Sequence, residues 1–268
     1  MIKIGVFDLD KTLLDRNSML PRDFYENVEI LRKRGVTVAI ASGRPADSLL
    51  YLFNRATDDM LICGEDGNLF FQGKKLLKAH VMSWDLINDI RAVVKGRKDL
   101  VTMYSSVDGE TYWEWEDLQR LGMWSGRRYR KEDSHELDGT EKICRIHCVC
   151  PGGEEAALVA INGPLAVLKE KCDVLAEGHG WVGIMEKGMN KGMAVKLFME
   201  HLGIGPDEVA VFGDNENDVP MFSVAKYAYA MKNASDDIKK KAAFVTKYDH
   251  TVNGAMRQLL ELTEGQEG

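Results

Sequence analysis

The sequence predicts an α/β fold in which a parallel sheet with helices on both faces is interrupted by an inserted α+β domain. Three observations carry this. Short, continuously apolar strands alternate with helices as far as about residue 65, the same alternation returns from about Lys187, and extended segments dominate between them. In the first stretch "KIGVFD" reads as a buried strand. "PRDFYENVEILRKRG" reads as a helix, with Pro21 in its first turn and Gly35 at its stop. "VTVAIAS" is again a strand, "PADSLLYLFNRA" a helix opened by Pro45, and "MLICG" a third strand, followed by a hairpin, "GNLFFQGKKLLKAH", turning near Gly73.

The middle holds a helix ("SWDLINDIRAVVKG"), extended pieces ("DLVTMYSS", "TYWEWE", "KICRIHCVC"), a second helix ("GPLAVLKEKCDVLAEG") and a strand ("WVGIME"). After it come a helix ("KGMAVKLFMEHLG"), a strand ("EVAVFGD"), a short helix ("VPMFSVA"), a strand ("YAYAM"), a helix ("SDDIKKKAA"), a strand ("FVT") and a last helix ("GAMRQLLELT"). The expected division is a core of residues 1–80 and 188–268, and an insertion of residues 81–187.

Composition narrows the function. The 268 residues can build one large or two modest domains, and 45% hydrophobic with 29% charged residues is a globular balance. A net charge of -7 argues against nucleic acid and anionic membrane surfaces as partners, since both need a basic face. An anionic ligand must then be held by a few local cations or a metal. No apolar run reaches about 18 residues, so no membrane span is expected. Asp8 breaks the first apolar stretch too early for a signal peptide. Cys63, Cys144, Cys148, Cys150 and Cys172 form an odd, uneven set suited to reduced thiols, and a cytoplasmic location is the expectation.

Chemistry concentrates at three strand ends. Asp8 and Asp10 follow the first strand two residues apart, so extended backbone aims both to one side, at the carboxyl edge where open parallel sheets place ligands. Ser42, Gly43 and Arg44 follow the second strand just before a helix, where a hydroxyl and backbone N–H groups can cradle an anion. "VAVFGDNEND" runs into Asp214 and Asp218, with Asn215 and Asn217 between; Gly213 allows close approach, and the acidic pair suits a hard cation such as Mg2+. A fourth piece is Lys191 in "GMNKG", a cation at a helix start that the helix dipole disfavours unless it has an anionic partner.

These stretches, "DLDKTLLD", "SGR", "KG" at Lys191 and Gly192, and "GDNENDVPMF", occur in the order found in the haloacid dehalogenase superfamily. The chain resembles its phosphatases of the Cof-like type, with a large inserted α/β cap (subfamily IIB). "YAYAMKNASDDIKKKAAFVT" and "NGAMRQLL" extend the likeness through the C-terminal part, and it is weaker across the insertion. One residue departs from the pattern: Lys11 stands where the family usually has Gly, adding positive charge beside the site.

The resemblance implies a Rossmann-like core and a Mg2+-dependent phosphatase working through an aspartyl-phosphate. Asp8 would be the nucleophile and Asp10 the acid and base. Asp8, the Asp10 carbonyl and Asp214 would hold Mg2+, and Asp218 would orient Lys191 or a metal-bound water. Leu9, Ser42, Gly43, Lys191 and Asn217 would hold the phosphoryl oxygens. The implied substrate is a small phosphorylated metabolite, with sugar phosphates favoured, and the protein a monomer or homodimer. Two other readings stay open on this scaffold. A phosphomutase would pass the phosphoryl group to a sugar hydroxyl, and a sensor would bind without turnover, though a binder needs no nucleophile.

Other features read as structural. Strand alternation puts Cys144, Ile146, Cys148 and Cys150 on one face of "CRIHCVC" and His147 on the other, which disfavours zinc. Trp113, Trp115 and Trp124 suit sheet packing, Arg127, Arg128 and Arg130 a solvated face, and Lys239 to Lys241 an exposed helix side.

Overall fold

A computed structural model describes residues 1–109, 111–113 and 137–266 of the chain. The strands in chain order are β1 (Ile4–Phe7), β2 (Thr37–Ala41), β3 (Met60–Gly64), β4 (Leu69–Gln72), β5 (Lys75–Ala79), β6 (Val101–Ser106), β7 (Thr111–Trp113), β8 (Ile143–Val149), β9 (Cys172–Gly178), β10 (Trp181–Glu186), β11 (Val209–Gly213), β12 (Tyr227–Ala230) and β13 (Phe244–Val245). The helices are α1 (Phe24–Lys33), α2 (Ala46–Leu52), α3 (Trp84–Val94), α4 (Gly153–Asn162), α5 (Lys191–Leu202), α6 (Val219–Phe222), α7 (Asp236–Lys239) and α8 (Gly254–Leu262). Residues 1–78 and 190–268 form one unit, and residues 79–189 a second.

The first unit is the α/β core. Its eight-stranded sheet runs β13-β12-β11-β1-β2-β3-β4-β5, parallel from β13 through β3 with β4 antiparallel to β3. Every residue of β1, β3 and β11 is buried, as strands covered on both faces require. Register does the positioning. Phe7 pairs with Phe212 on one side and Ile40 on the other, so three central strands end level and the residues after them emerge side by side. The chain moves one way from β1 to β2 and β3, and the other way from β11 to β12. That reversal creates the crevice where doubly wound sheets bind ligands. Phe7, Phe212, Tyr229 and Phe244 stack in a row across four strands, with ring centroids 5.0, 5.3 and 5.0 Å apart, and lock this register.

The second unit is a five-stranded antiparallel sheet, β7-β6-β8-β10-β9, with residues of α3 and α4 in one apolar cluster with it. Local structure departs from the sequence reading in four places. The stretch 163–178, read as a helix, is a short turn at Ala166–Glu170 followed by β9, because Cys172 and Val174 are buried and the segment pairs with β10; tertiary pairing outweighs helix propensity. "GEEAALVAIN", to which the reading assigns no element, forms α4, whose glycine start carries no capping side chain. Helix α1 begins at Phe24, whose N–H bonds the Pro21 carbonyl at 3.0 Å, so Pro21 precedes the helix. An irregularity where Ser105 pairs Arg145 but Ser106 pairs Ile143 breaks the alternation in β8. Ile143 thereby joins Ile146 and Cys148 in the apolar cluster, while the Cys144 thiol donates to the Ser105 carbonyl at 3.3 Å. On the opposite side of β8, Arg145 and the His147 ring pair with Glu177. Trp113 is buried, edge-on to Trp181 at 6.4 Å; Trp115, Trp124, Arg127, Arg128 and Arg130 lie outside the described residues.

Directly after β1 the chain turns sharply through residues 9–13, closed by the Leu14 N–H on the Leu9 carbonyl at 2.9 Å. Lys11 sits in that turn at φ 60°, ψ 13°, the left-handed region. A residue with a Cβ pays roughly 1–2 kcal/mol there, a cost that glycine avoids. The Asn233 side chain holds the turn by donating to the Lys11 carbonyl at 2.9 Å. Lys11→Gly is therefore expected to raise stability by up to about 1 kcal/mol in urea unfolding, after the greater flexibility of glycine in the unfolded chain is discounted. A loss of stability would contradict strain at this position.

Candidate active site

Three strand ends and one helix start meet at the carboxyl edge of the core sheet. Asp8 follows β1 and is buried. Lys191 opens α5 and is also buried; its ammonium lies 2.6 Å from Asp8 Oδ1 and 2.6 Å from Asp218 Oδ1. Asp218 is fully buried, and its second oxygen accepts from the Asp214 and Asn215 N–H groups at 2.8 and 3.0 Å. Asp218 thus ties the loop after β11 to the helix after the insertion. Asn190 caps α5, its Oδ1 accepting from the Gly192 and Met193 N–H groups at 2.9 and 3.2 Å. The cation at this helix start is compensated by two carboxylates rather than by the dipole.

Two glycines allow the approach. A methyl group on Gly213 would lie 2.5 Å from the Asp218 carboxyl carbon, and one on Gly192 would lie 2.6 Å from the Pro220 carbonyl oxygen. Larger residues at either point would push the Asp218 loop away from Lys191.

The remaining sequence-predicted residues fall around this bridge. Asp10 is exposed, and both its oxygens are taken by the Arg44 guanidinium at 2.8 and 2.6 Å. Ser42 is buried, its hydroxyl oxygen accepting from the Arg44 N–H at 3.1 Å, and Gly43 is half-buried beside it. Leu9 is fully buried. Asn217 is half-buried in the turn between Asp214 and Asp218. Sequence reasoning gave no role to Thr12, a buried residue whose hydroxyl donates to Asp214 Oδ1 at 3.2 Å. The local pattern "DLDKT" carries no sign of this contact, which spans 202 positions of the chain. Nor did sequence reasoning assign the Arg44 fork, although Arg44 stood in the quoted "SGR".

Asp8, Asp214 and Asp218 each offer a carboxylate oxygen, all within 4.8 Å of one another. Three carboxylates against one ammonium leave two formal negative charges, the charge of one divalent cation. An all-oxygen donor set is the chemistry a hard ion such as Mg2+ takes, so the residues fit that ion. Asp218 is committed to Lys191 and two N–H groups, which leaves Asp8 and Asp214 as the available carboxylates.

Electrostatics follow from the crowding. Burial pushes the Asp8 carboxyl well above its ordinary range and Asp218 adds to this, against the pull of Lys191. Burial would lower Lys191, but Asp218, Asp8 and Asp66 outweigh it and hold the ammonium firmly charged. Burial, then Asp218, pushes Asp214 up to about 6, opposed by Thr12 and Lys191.

A family model for haloacid dehalogenase-like hydrolases matches residues 6–259. Among curated relatives, the 5-amino-6-(5-phospho-D-ribitylamino)uracil phosphatase of Bacillus subtilis is 25% identical, over 99% of this chain and 99% of its own. The HMP-PP phosphatase of Cronobacter sakazakii is 26% identical, over 97% of this chain and 95% of its own. A solved structure from Streptococcus mutans shares the fold with a TM-score of 0.83, at 20% identity, over 98% of this chain and 99% of that one.

The raised Asp214 pKa has a sign that can be tested. Between 3.8 and about 6, folded Asp214 holds a proton that the unfolded chain has released, so this group subtracts stability as pH rises through that window. In metal-free buffer, Asp214→Asn should gain stability relative to the native chain as pH rises from about 4 to about 6. Urea unfolding at several pH values reads the difference; a gap that stays constant or shrinks would contradict the raised pKa.

Proposed function

This chain belongs to the haloacid dehalogenase-like hydrolases and is a phosphoric monoester hydrolase, and we propose that it is a Mg2+-dependent phosphatase of a small sugar-like phosphate acting through Asp8. The observation that carries this reading is the Lys191 ammonium bridging Asp8 and Asp218 beside Asp214. On this reading Lys191 orients the Asp8 carboxylate for attack and supplies a cation beside it for the incoming phosphoryl group.

Asp8 attacks phosphorus in line, and the bond to the ester oxygen breaks as Asp10 gives that oxygen its proton. Water then attacks the aspartyl-phosphate while Asp10 takes its proton; inorganic phosphate leaves and the Asp8 carboxylate is restored. Arg44 must release Asp10 before Asp10 can reach a leaving oxygen, since its fork occupies both carboxylate oxygens. Lys191, the Ser42 hydroxyl, the Leu9 and Gly43 N–H groups and Asn217 bind the phosphoryl oxygens as charge shifts onto them. Asp218 keeps Lys191 oriented, and Thr12 keeps Asp214 oriented. Asp8, Asp214 and the Asp10 carbonyl would hold Mg2+, whose positive charge would offset repulsion between the nucleophile and an anionic phosphate.

The B. subtilis relative is named for a phosphoribityl compound, which supports a phosphorylated polyol or sugar as substrate class. No described helix is long and apolar enough to cross a membrane. A panel of phosphorylated sugars, polyols, nucleotides and cofactors, assayed for free phosphate with Mg2+ and with chelator, tests the proposal. Release should require the metal, and Asp8→Asn should remain folded yet lose turnover by several orders of magnitude. Near-native turnover by that variant would rule out Asp8 as nucleophile; a sugar phosphate isomerised without phosphate release would redirect the chemistry to a mutase.

A further inference from the structure

The stretch "GEDGN" that follows β3 takes no part in the chemistry above, yet it is buried and conformationally unusual. Glu65, Asp66 and Gly67 have φ of 52°, 51° and 109°, three successive residues in the left-handed half of the map. Glu65 and Asp66 are 1% and 3% exposed, so this is no surface turn free to relax. Non-glycine residues persist in such conformations when their surroundings over-determine them, and such sites gather near functional groups.

Its surroundings here are the phosphate-holding elements. The Asp66 N–H donates to the Ser42 carbonyl at 3.0 Å, and the Glu65 N–H to the Arg44 carbonyl at 3.2 Å. The Ser42 N–H donates back to the Cys63 carbonyl at 2.9 Å, so the two loops hold each other from both sides. Gly67 lies against the backbone of Asn190, the cap of α5: a methyl there would come within 2.7 Å of the Asn190 carbonyl oxygen. One turn thus braces both the Ser42–Arg44 loop and the helix start that carries Lys191.

The bond to Ser42 has a directional consequence. The Ser42–Gly43 peptide is trans, as are all others described. In a planar trans peptide the carbonyl of one residue and the N–H of the next point in opposite directions. Fixing the Ser42 carbonyl toward Asp66 therefore fixes the Gly43 N–H toward the other side of that plane.

We propose that Asp66 is a positioning residue: through its own left-handed backbone N–H it orients the Gly43 N–H for the phosphoryl group. The proposal rests on the reading that the Ser42–Arg44 loop cradles phosphate. Asp66 acts through its backbone, because aspartate, asparagine and glycine all enter the left-handed region while β-branched residues resist it. Its carboxylate adds to the field around Lys191, but Asp8 and Asp218, each at 2.6 Å, keep that ammonium charged without it.

The test is a titration of the full chain with inorganic phosphate in Mg2+, followed by the 1H–15N resonance of Gly43. Native chain, Asp66→Asn and Asp66→Gly should show the Gly43 amide shifting with similar midpoints. Asp66→Val should need at least about tenfold more phosphate, as expected when an anion-binding donor is misaligned. Asp66→Ala replaces it if the valine variant does not fold, and circular dichroism checks each protein. A native midpoint in the valine or alanine variant overturns the proposal, and so does a loss in Asp66→Gly as large as the loss in Asp66→Val. A Gly43 resonance unmoved in the native chain, while phosphate still inhibits turnover, instead overturns the reading of the cradle on which the proposal rests.

Discussion

One buried ammonium holds the site together. Lys191 meets Asp8 and Asp218 at 2.6 Å each, with all three side chains withdrawn from solvent. Removing an ion from water costs several kcal/mol even after relaxation, so each group is tolerable in the interior only because the others are there. Much of the nearby architecture serves this contact. The level ends of β1 and β11 bring Asp8 and the Asp214–Asp218 loop together, Asn190 caps the helix that presents Lys191, and glycines at 192 and 213 remove the atoms that would keep the pieces apart.

The bridge is incomplete as an electrostatic unit. A single ammonium cannot balance Asp8, Asp214 and Asp218, and burial first, then the surplus negative charge, raises the carboxyl pKa values of Asp8 and Asp214. Divalent charge at this point would offset the crowding and favour the ionised form of Asp8 that attack on phosphorus requires, which links metal binding to the readiness of the nucleophile. Asp10 is held apart from that cluster by Arg44, so the two carboxylates at the end of β1 occupy different surroundings despite lying two residues apart.

The core was legible because its signals are local and redundant. Apolar runs such as "IGVF" and "VAVFG" can be little else than doubly covered strands, and Asp8, Ser42 and Asp214 fall where those strands end. Contacts made across large sequence distances were less legible. Nothing in "LDKTL" announces that Thr12 would bond Asp214, 202 positions away, or that Lys11 would be forced to a positive φ. The insertion misled where local propensity and tertiary pairing disagree: "LAVLKEKCDVL" favours a helix by composition, and only β10, lying alongside, makes its second half a strand. Asp66 was invisible for a different reason, because its contribution is a backbone N–H and a dihedral angle, neither of which a side-chain motif encodes.

If Asp8, held by Lys191, takes the phosphoryl group covalently, the intermediate can be trapped by acid quench of the enzyme during turnover of its best phosphomonoester and located by mass-spectrometric mapping of peptides. An acyl phosphate is expected on the peptide containing Asp8, at the Asp8 carboxylate. Phosphate release with that peptide unmodified and the phosphoryl group found on another residue would contradict it.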